Sequence, residues 1–390
     1  MLNRTIGGVL LISGTAIGGG MLAVPTVTAT AGFAYASSAL LICWIFMTIS
    51  AFLILEVVLY LVHKKEMQTP INLISMAETT LGRYGKIIAW VTYVALLYAL
   101  ICVYLKTSGA WLSQFLNMTD IFTMSIPNNI SSIIIAMLFS IILITGIRGV
   151  DYVNRLLSVG MLIAYIVLIV AILPHVQSDL LLRQGSVISL ASSMPLLITA
   201  FGSAIVVPSL CHYLYYDKKI LRITLLLGCL LPLLAYFIWE IVTLGALPLE
   251  GAYGLHTLIE SGDDGTGIAI ALKHITQNSW VTESAIAFSV FAVLTSFLGI
   301  SLSMLHFFSD ALKIYNRTVL ILLTYLPPVL LIILFPGSFT TILSFAGIFV
   351  AIFLGLLPVA MAWRVRGKIS VLLAVTAIFF VAIVLQCLLV

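Results

Sequence analysis

The sequence contains very little charge. Only 8% of its 390 residues are Asp, Glu, Lys or Arg, and 62% are hydrophobic, whereas soluble domains carry about 25% charged residues. So few charges cannot cover a water-exposed surface, which excludes an ordinary soluble domain and predicts a chain embedded in a lipid bilayer. The formal net charge is only +4, and we expect no nucleic-acid partner.

Sequence patterns for cofactors and catalysis are also lacking. The five cysteines all lie inside apolar segments, and none has the spacing of a disulfide or a metal site. The chain has no His-Glu-x-x-His, no Gly-x-Ser-x-Gly and no pair of aspartates within its apolar segments. We therefore expect neither an enzyme nor a bound cofactor, and no metal other than sodium.

The apolar residues form runs that are long enough to cross a membrane. A spanning helix needs about 20 largely apolar residues, and eleven segments meet this requirement: 5–30, 33–62, 86–115, 128–146, 152–173, 189–214, 220–247, 281–309, 318–335, 339–363 and 369–389. The sequence therefore predicts an all-α polytopic membrane protein with eleven transmembrane helices, forming a single domain over residues 1–390.

The basic residues are distributed unevenly between the loops of this topology. If the amino terminus is cytoplasmic, 15 of the 18 Lys and Arg residues lie in or beside cytoplasmic loops, and only Arg183 and Lys273 lie in outside loops. Loops rich in Lys and Arg stay in the cytoplasm. The sequence thus predicts a cytoplasmic amino terminus and a carboxyl terminus on the opposite side.

Two of the predicted spans contain helix-breaking residues at their centre. Ala16-Ile-Gly-Gly-Gly-Met-Leu-Ala-Val-Pro-Thr26 places three glycines before a proline, and Phe201-Gly-Ser-Ala-Ile-Val-Val-Pro208 repeats the Gly-to-Pro spacing to within one residue. Such residues allow a helix to unwind. Unpaired backbone groups at membrane depth are tolerated only where they are buried in protein or line a cavity. Paired broken helices indicate the central site of a transporter.

The two interrupted spans occupy corresponding positions in the chain. Spans one to five (about 5–173) and spans six to ten (about 189–363) each begin with a broken helix. Because each set has five spans, an odd number, the two sets cross the membrane in opposite orientations. The sequence therefore predicts an inverted repeat. The eleventh span (about 369–389) is an extra helix.

Three motifs resemble those of the hydroxy and aromatic amino acid permeases, particularly the bacterial tyrosine and tryptophan permeases. They are Ser13-Gly-Thr-Ala-Ile-Gly-Gly-Gly-Met-Leu-Ala-Val-Pro25, Phe201-Gly-Ser-Ala-Ile-Val-Val-Pro-Ser209 and Leu294-Thr-Ser-Phe-Leu-Gly299. The resemblance implies a leucine-transporter-like fold of five plus five helices with spans one and six broken. It also implies cation-coupled uptake of tyrosine or a related amino acid across the bacterial inner membrane, with the carboxyl terminus in the periplasm.

The breaks can accommodate a zwitterionic amino acid. Burying an unpaired carboxylate or ammonium is prohibitive, so the site must supply partial charges of both signs. Free N–H groups at the start of the second half-helix, near Gly19, suit the carboxylate. The carbonyls left over from Ala16, Ile17, Phe201 and Ser203 suit the ammonium. We predict that the substrate contacts Ala16, Ile17, Gly18, Gly19, Gly20, Phe201, Gly202 and Ser203. The alternative interpretation is close helix packing through small residues.

A candidate ion site lies in the eighth span. Ala292, Thr295 and Ser296 fall near one helical face. By resemblance to sodium-coupled members of the fold, they would bind sodium together with carbonyls near Gly14 and Ile17. The bacterial aromatic permeases are thought to use protons, so the coupling ion stays open between H⁺ and Na⁺. The alternative role for the hydroxyls is hydrogen bonding between helices.

Other aspects stay open from sequence alone. Intramembrane carboxylates count as functional candidates, and both Glu56 and Glu240 lie inside spans, while His212 and His306 lie towards cytoplasmic ends. For Glu56 we favour structural pairing. Two alternatives to an aromatic amino acid permease stay open. One is a permease for serine, threonine or another neutral amino acid, and the other is a non-transporting amino acid sensor. The oligomeric state is not determined.

Overall fold

The protein was analysed as a computed structural model that describes residues 2–64, 72–118, 127–144, 147–260, 266–277, 279–334, 339–368 and 370–389. Every regular element within these ranges is helical, which confirms the all-α prediction. Eight helical segments in the described part are long and apolar enough to cross a membrane, and Asn128–Ile144 and Val371–Gln386 are shorter apolar helices.

Seventeen α-helices are described, several of them joined end to end. They are α1 (Leu2–Ala16), α2 (Gly19–Thr28), α3 (Gly32–His63), α4 (Leu73–Met118), α5 (Asn128–Ile144), α6 (Ile147–Ile172), α7 (Ser178–Leu181), α8 (Val187–Ala200), α9 (Val207–Tyr213), α10 (Lys218–Ala246), α11 (Leu255–Glu260), α12 (Thr266–Thr276), α13 (Ser279–Leu312), α14 (Arg317–Leu334), α15 (Phe339–Val350), α16 (Leu357–Arg366) and α17 (Val371–Leu389). Short 3₁₀ turns cover Ala29–Ala31, Leu173–His175 and Gly202–Val206, and a π-helical segment covers Ala351–Leu356.

Helices occupy each of the eleven predicted ranges, and some of them, such as α4 and α13, extend beyond the predicted bounds. The first predicted span is two helices, α1 and α2, and α2 continues through a 3₁₀ turn into α3. The bend before α3 falls at Gly32, whose φ of 72° is in the left-handed region that glycine tolerates best. Helix α4 is kinked at Gly82, where φ is 73°. The count of eleven membrane crossings and the inverted repeat stay predictions.

The chain divides into two compact units that each combine distant parts of the sequence. The first unit contains Met1–Leu96, Leu181–Ile241 and Ser344–Val390, and the second contains Leu97–Leu180 and Val242–Leu343. The first unit therefore holds both predicted helix breaks, with α1, α2, α3, α8, α9, most of α10, α16 and α17. The second unit holds α5, α6, α13 and α14.

Two prolines in helices of the first unit are compensated by side chains from neighbouring helices. Pro195 lies within α8 and has no N–H to donate to the carbonyl of Ala191, four residues earlier. Gln386 of α17 donates its side-chain amide to that carbonyl at 2.7 Å. The freed backbone acceptor is thus satisfied inside the protein, as the absence of water in a bilayer requires.

The carbonyl that a second proline of the first unit leaves free also accepts a hydrogen bond from a neighbouring helix. Pro358, near the start of α16, leaves the carbonyl of Leu354 without its helical donor, and the Ser50 hydroxyl of α3 donates to it. Helix α3 also packs against α17, where the rings of Phe46 and Phe379 stack with centroids 3.9 Å apart. These contacts bring the eleventh predicted span onto the helices of the first unit.

The second unit is built around the packing of α6 against α13. A Cβ atom added at Gly160 of α6 would come within 2.8 Å of the Phe291 ring of α13, so the glycine permits this close approach. The same compensation for proline recurs here. Pro327 interrupts α14, and the Tyr98 hydroxyl donates to the freed carbonyl of Leu323 at 2.7 Å.

Candidate functional site

The first helix break lies where the sequence predicts it. Helix α1 ends at Ala16, Gly18 is extended with φ −157° and ψ −151°, and α2 begins at the next residue. The carbonyl of Gly18 accepts a hydrogen bond from the Met21 N–H at 3.0 Å. Because the first N–H groups of any α-helix have no acceptor within that helix, the start of α2 presents donors at the break. Gly18 and Gly20 are buried and Ile17 is half-buried.

The second break lies in the middle of the sixth predicted span. Helix α8 ends at Ala200, and the chain passes through Phe201 into the 3₁₀ turn that begins at Gly202, before α9 resumes at Val207. The Ser203 N–H donates to the carbonyl of Phe201 at 2.8 Å. The half-helices are therefore separated by a tightened turn and not by the extended residue seen at the first break.

The two breaks lie directly against each other. A Cβ atom added at Gly20 would stand 3.2 Å from both the Cα and the Cβ of Ala200, so the first turn of α2 packs on the last residue of α8. Glycine permits this approach, because a Cβ atom here would be closer than most Cβ contacts and would require α8 to shift by a few tenths of an ångström. The spacing of the two sequence motifs predicts two breaks, and the structure brings Gly20 and Phe201 to neighbouring positions in one unit.

A tyrosine that the sequence analysis missed connects the two breaks. Tyr236 of α10 is fully buried, and its hydroxyl lies 2.7 Å from the carbonyl oxygen of Ala16 and 3.1 Å from that of Ala200. Its ring lies 5.0 Å from the ring of Phe201, centroid to centroid. Tyr236 is one of several aromatic residues in an apolar span, and the only local signal is its position one helical turn before Glu240.

The backbone at the breaks offers both signs of partial charge. The start of α2 is the positive end of a helix dipole, while the ends of α1 and α8 are negative. Two of the predicted ammonium acceptors already accept hydrogen bonds, Ala16 from Tyr236 and Phe201 from Ser203. Because a carbonyl oxygen has two lone pairs, neither bond prevents a further donor from approaching. The contact of each predicted residue with substrate stays a prediction.

The predicted ion ligands are distributed over both units. Ala292, Thr295 and Ser296 lie in α13 of the second unit, and Gly14 and Ile17 lie in the first. Within α13 the Thr295 hydroxyl lies 2.9 Å from the Phe291 carbonyl oxygen and 3.0 Å from that of Ala292, so its single proton is directed to the backbone of its own helix. The ion site stays a prediction.

The intramembrane carboxylates have different surroundings. Arg366 at the end of α16 forms a two-pronged ion pair with Glu56 of α3, with Nε 2.8 Å from Oε1, which fits the structural role favoured from sequence. Glu240 of α10 is fully buried, and the Thr28 hydroxyl at the end of α2 lies 2.7 Å from its Oε1 atom. Glu240 therefore contacts the same half-helix that begins at the first break.

These features define the class of protein. Many apolar helices, two of them interrupted side by side, are typical of a multi-pass membrane transporter. Comparison with known sequences then identifies its family. The model of the tryptophan/tyrosine permease family matches residues 1–389, and the chain belongs to that family.

Curated relatives are transport proteins that align over nearly their whole length. The chain is 32% identical over 369 residues to "Tyrosine-specific transport system 2" of Haemophilus influenzae, covering 93% of this chain and 88% of the relative. It is 32% identical over 371 residues to "Tyrosine-specific transport system 1" of the same organism, covering 94% and 89%. It is 28% identical over 376 residues to the "Tryptophan-specific transport protein" of that organism, covering 93% and 88%. The predicted resemblance and the prediction that the chain is not an enzyme are confirmed.

Proposed function

We propose that this protein imports tyrosine across the bacterial inner membrane by cation symport, with access alternating between the two sides. The substrate class is supported by the family, which is named for tryptophan and tyrosine. Tyrosine is favoured because the two relatives named for tyrosine are 32% identical to the chain, against 28% for the relative named for tryptophan.

The observation that carries the proposal is the contact of the two breaks at Gly20 and Ala200. It places the donor end of α2 beside the acceptor end of α8, so that one small ligand with an anionic and a cationic group can reach both. An amino acid is such a ligand. Its carboxylate would bind the N–H groups at the start of α2, and its ammonium would bind carbonyls at the ends of α1 and α8. The Phe201 ring, next to these carbonyls, would contact the side chain.

Topology and orientation are part of the same proposal. The chain would cross the membrane eleven times, as two inverted repeats of five helices followed by one extra helix, with the amino terminus cytoplasmic and the carboxyl terminus periplasmic. Helices in every predicted range and the strong bias of basic residues towards one side support this arrangement.

Uptake by purified protein in liposomes tests the proposal. Labelled tyrosine, tryptophan, phenylalanine, serine, threonine and glutamine are each offered under an imposed proton gradient, an imposed sodium gradient, both or neither. We expect tyrosine to accumulate only when one of the cation gradients is present, and the gradient that drives it identifies the coupling ion. Accumulation of serine or threonine without tyrosine would replace the aromatic assignment with a neutral amino acid permease. Tight binding of tyrosine without uptake would indicate a sensor.

A further inference from the structure

The last carbonyls of two interrupted helices meet at one side chain. Helices α1 and α8 end at Ala16 and Ala200, and both terminal carbonyls lie within hydrogen-bonding distance of the Tyr236 hydroxyl, at 2.7 and 3.1 Å. A phenol has one proton to donate. The two breaks therefore share a single donor, which belongs to neither broken span.

The surroundings of the Tyr236 hydroxyl make its hydrogen bonds to the two carbonyls costly to lose. Both carbonyls stand at the negative ends of helix dipoles, so they repel one another when brought together, and a donor between them offsets that repulsion. Tyr236 is completely buried, which excludes bulk water as a replacement donor. Loss of the hydroxyl would leave buried acceptors unsatisfied, which costs more than losing a bond at a surface.

The ring of Tyr236 is held in place independently of its hydroxyl. It packs on the ring of Phe201, the first residue after α8, with centroids 5.0 Å apart. One turn further along α10, Glu240 lies on the same helical face and meets the Thr28 hydroxyl at the far end of α2. Helix α10 thus contacts the first broken span on both sides of its break.

We propose that Tyr236 is a positioning residue of the transport site, whose shared hydroxyl proton holds the carbonyl ends of α1 and α8 at the separation that the substrate ammonium requires. The inference rests on the proposed function, because it assigns those carbonyls to the ammonium. It goes beyond that function because the residue that fixes the separation of the two carbonyls lies outside both breaks.

Tyr236→Phe removes only the hydroxyl and keeps the ring. Tyr98→Phe is the matched control, because Tyr98, which belongs to the second unit, also donates its hydroxyl to a helix carbonyl at 2.7 Å. In proteoliposomes with labelled tyrosine we expect Tyr236→Phe to raise KM about 10-fold while the maximal rate changes less than about 2-fold, and Tyr98→Phe to leave KM unchanged. An unchanged or lowered KM for Tyr236→Phe overturns the proposal.

Hydrogen–deuterium exchange gives a readout that does not depend on substrate. Tyr236→Phe should speed exchange in residues 10–24 and 196–206 together, without a matching increase in α3, and Tyr98→Phe should change neither segment. Faster exchange at one break only, or equally throughout the first unit, contradicts a shared positioning role. If the wild type transports none of the amino acids offered, the proposed function fails, while this measurement still decides whether Tyr236 couples the two breaks.

If Tyr236→Phe yields no folded protein, a variant with fluorinated tyrosine at position 236 tests the proposal in the same exchange measurement. It preserves the ring and strengthens the hydroxyl as a donor, so exchange at both breaks should slow. Unchanged exchange in that variant would overturn the proposal.

Discussion

Substitution of Gly20 tests whether the two breaks must touch for transport. The space at this position is limited by the Cα and Cβ of Ala200, each 3.2 Å from where a new Cβ would lie. These are atoms of a backbone and of a methyl group fixed to it, so no side-chain rotation can relieve the contact. An added methyl must therefore displace α2 from α8 by a few tenths of an ångström.

The size of the effect follows from two opposing contributions. Overpacking a filled site costs about 1–3 kcal/mol, whereas alanine in place of glycine inside a helix regains at most about 1 kcal/mol. Gly20→Ala should therefore disfavour the state with the breaks in contact by about 0–3 kcal/mol. Gly20→Val adds two more methyl groups than Gly20→Ala does, and a β-branched residue does not bring alanine's gain in helix propensity. We therefore expect it to disfavour the state with the breaks in contact by more than about 2 kcal/mol, which lowers the population of that state about 30-fold.

The assay is initial tyrosine uptake at matched protein content, with folding checked by size-exclusion chromatography and thermal unfolding. We expect uptake to fall in the order wild type, Gly20→Ala, Gly20→Val. Gly299→Ala in α13 is the control, because no atom lies within 4 Å of its added Cβ, and it should transport as the wild type does.

A double substitution separates the steric contact from other effects. Ala200→Gly removes one of the two atoms that a Cβ at position 20 would meet and leaves the Cα, so it should restore part of the uptake lost in Gly20→Ala. Contacting residues show such non-additivity, and distant ones do not. Wild-type KM and rate in folded Gly20→Val would refute the reasoning, because transport would then not depend on the contact of the breaks.

Three further predictions concern selectivity, stability and coupling. Unlabelled phenylalanine and tryptophan should compete with labelled tyrosine at least partly, whereas serine and alanine should compete about 10- to 150-fold less well, because an aromatic side chain contributes roughly 1.5–3 kcal/mol on burial; equal competition by serine contradicts this. Gln386→Leu should lower the free energy of unfolding by about 1–3 kcal/mol by leaving the Ala191 carbonyl unsatisfied, and adding Pro195→Ala, which supplies the missing N–H, should recover much of the loss in thermal unfolding. If sodium is the coupling ion, Thr295→Ala combined with Ser296→Ala should raise the sodium concentration for half-maximal uptake at least about 10-fold, whereas uptake driven by a proton gradient in sodium-free buffer excludes this role.

Much of the architecture could be predicted because a membrane restricts the backbone conformations that a chain can adopt inside it. Hydrocarbon forces every lipid-facing segment to be helical, so apolar length alone predicts where helices lie, and helices occupy all eleven predicted ranges. The first break could be predicted because Gly18 and its neighbours lower the cost of unwinding at one defined place. The bend at Gly32 falls between the first two predicted spans. The kink at Gly82 could not be predicted, because it lies in a polar stretch before the third span, where apolar length gives no signal.

The connection between the two breaks was beyond sequence reasoning for a different reason. Tyr236 acts through contacts with Ala16 and Ala200, which are 220 and 36 residues away. Its position one helical turn before Glu240 is the one local feature that separates it from other aromatic residues in apolar spans, and that feature does not indicate a contact with either break. Its role depends on how α10 is rotated about its own axis, which is set by packing and not by the composition of the helix.

Proline alone does not identify a functional break in this protein. Pro195, Pro327 and Pro358 all interrupt helical hydrogen bonding, yet the carbonyl that each one frees accepts a hydrogen bond from a neighbouring side chain. Those helices continue beyond the proline. At Gly18 and Phe201 the helix stops and restarts, and the ends face each other. At the two breaks a glycine lies seven or six residues before a proline, at Gly18 and Gly202, whereas Gly228 and Gly355 lie only four and three residues before prolines inside continuing helices. Glycine allows the chain to leave the helix and a second backbone or a ligand to approach it. A search for sites in related chains should therefore rank Gly-to-Pro pairs of the wider spacing above prolines inside uninterrupted helices.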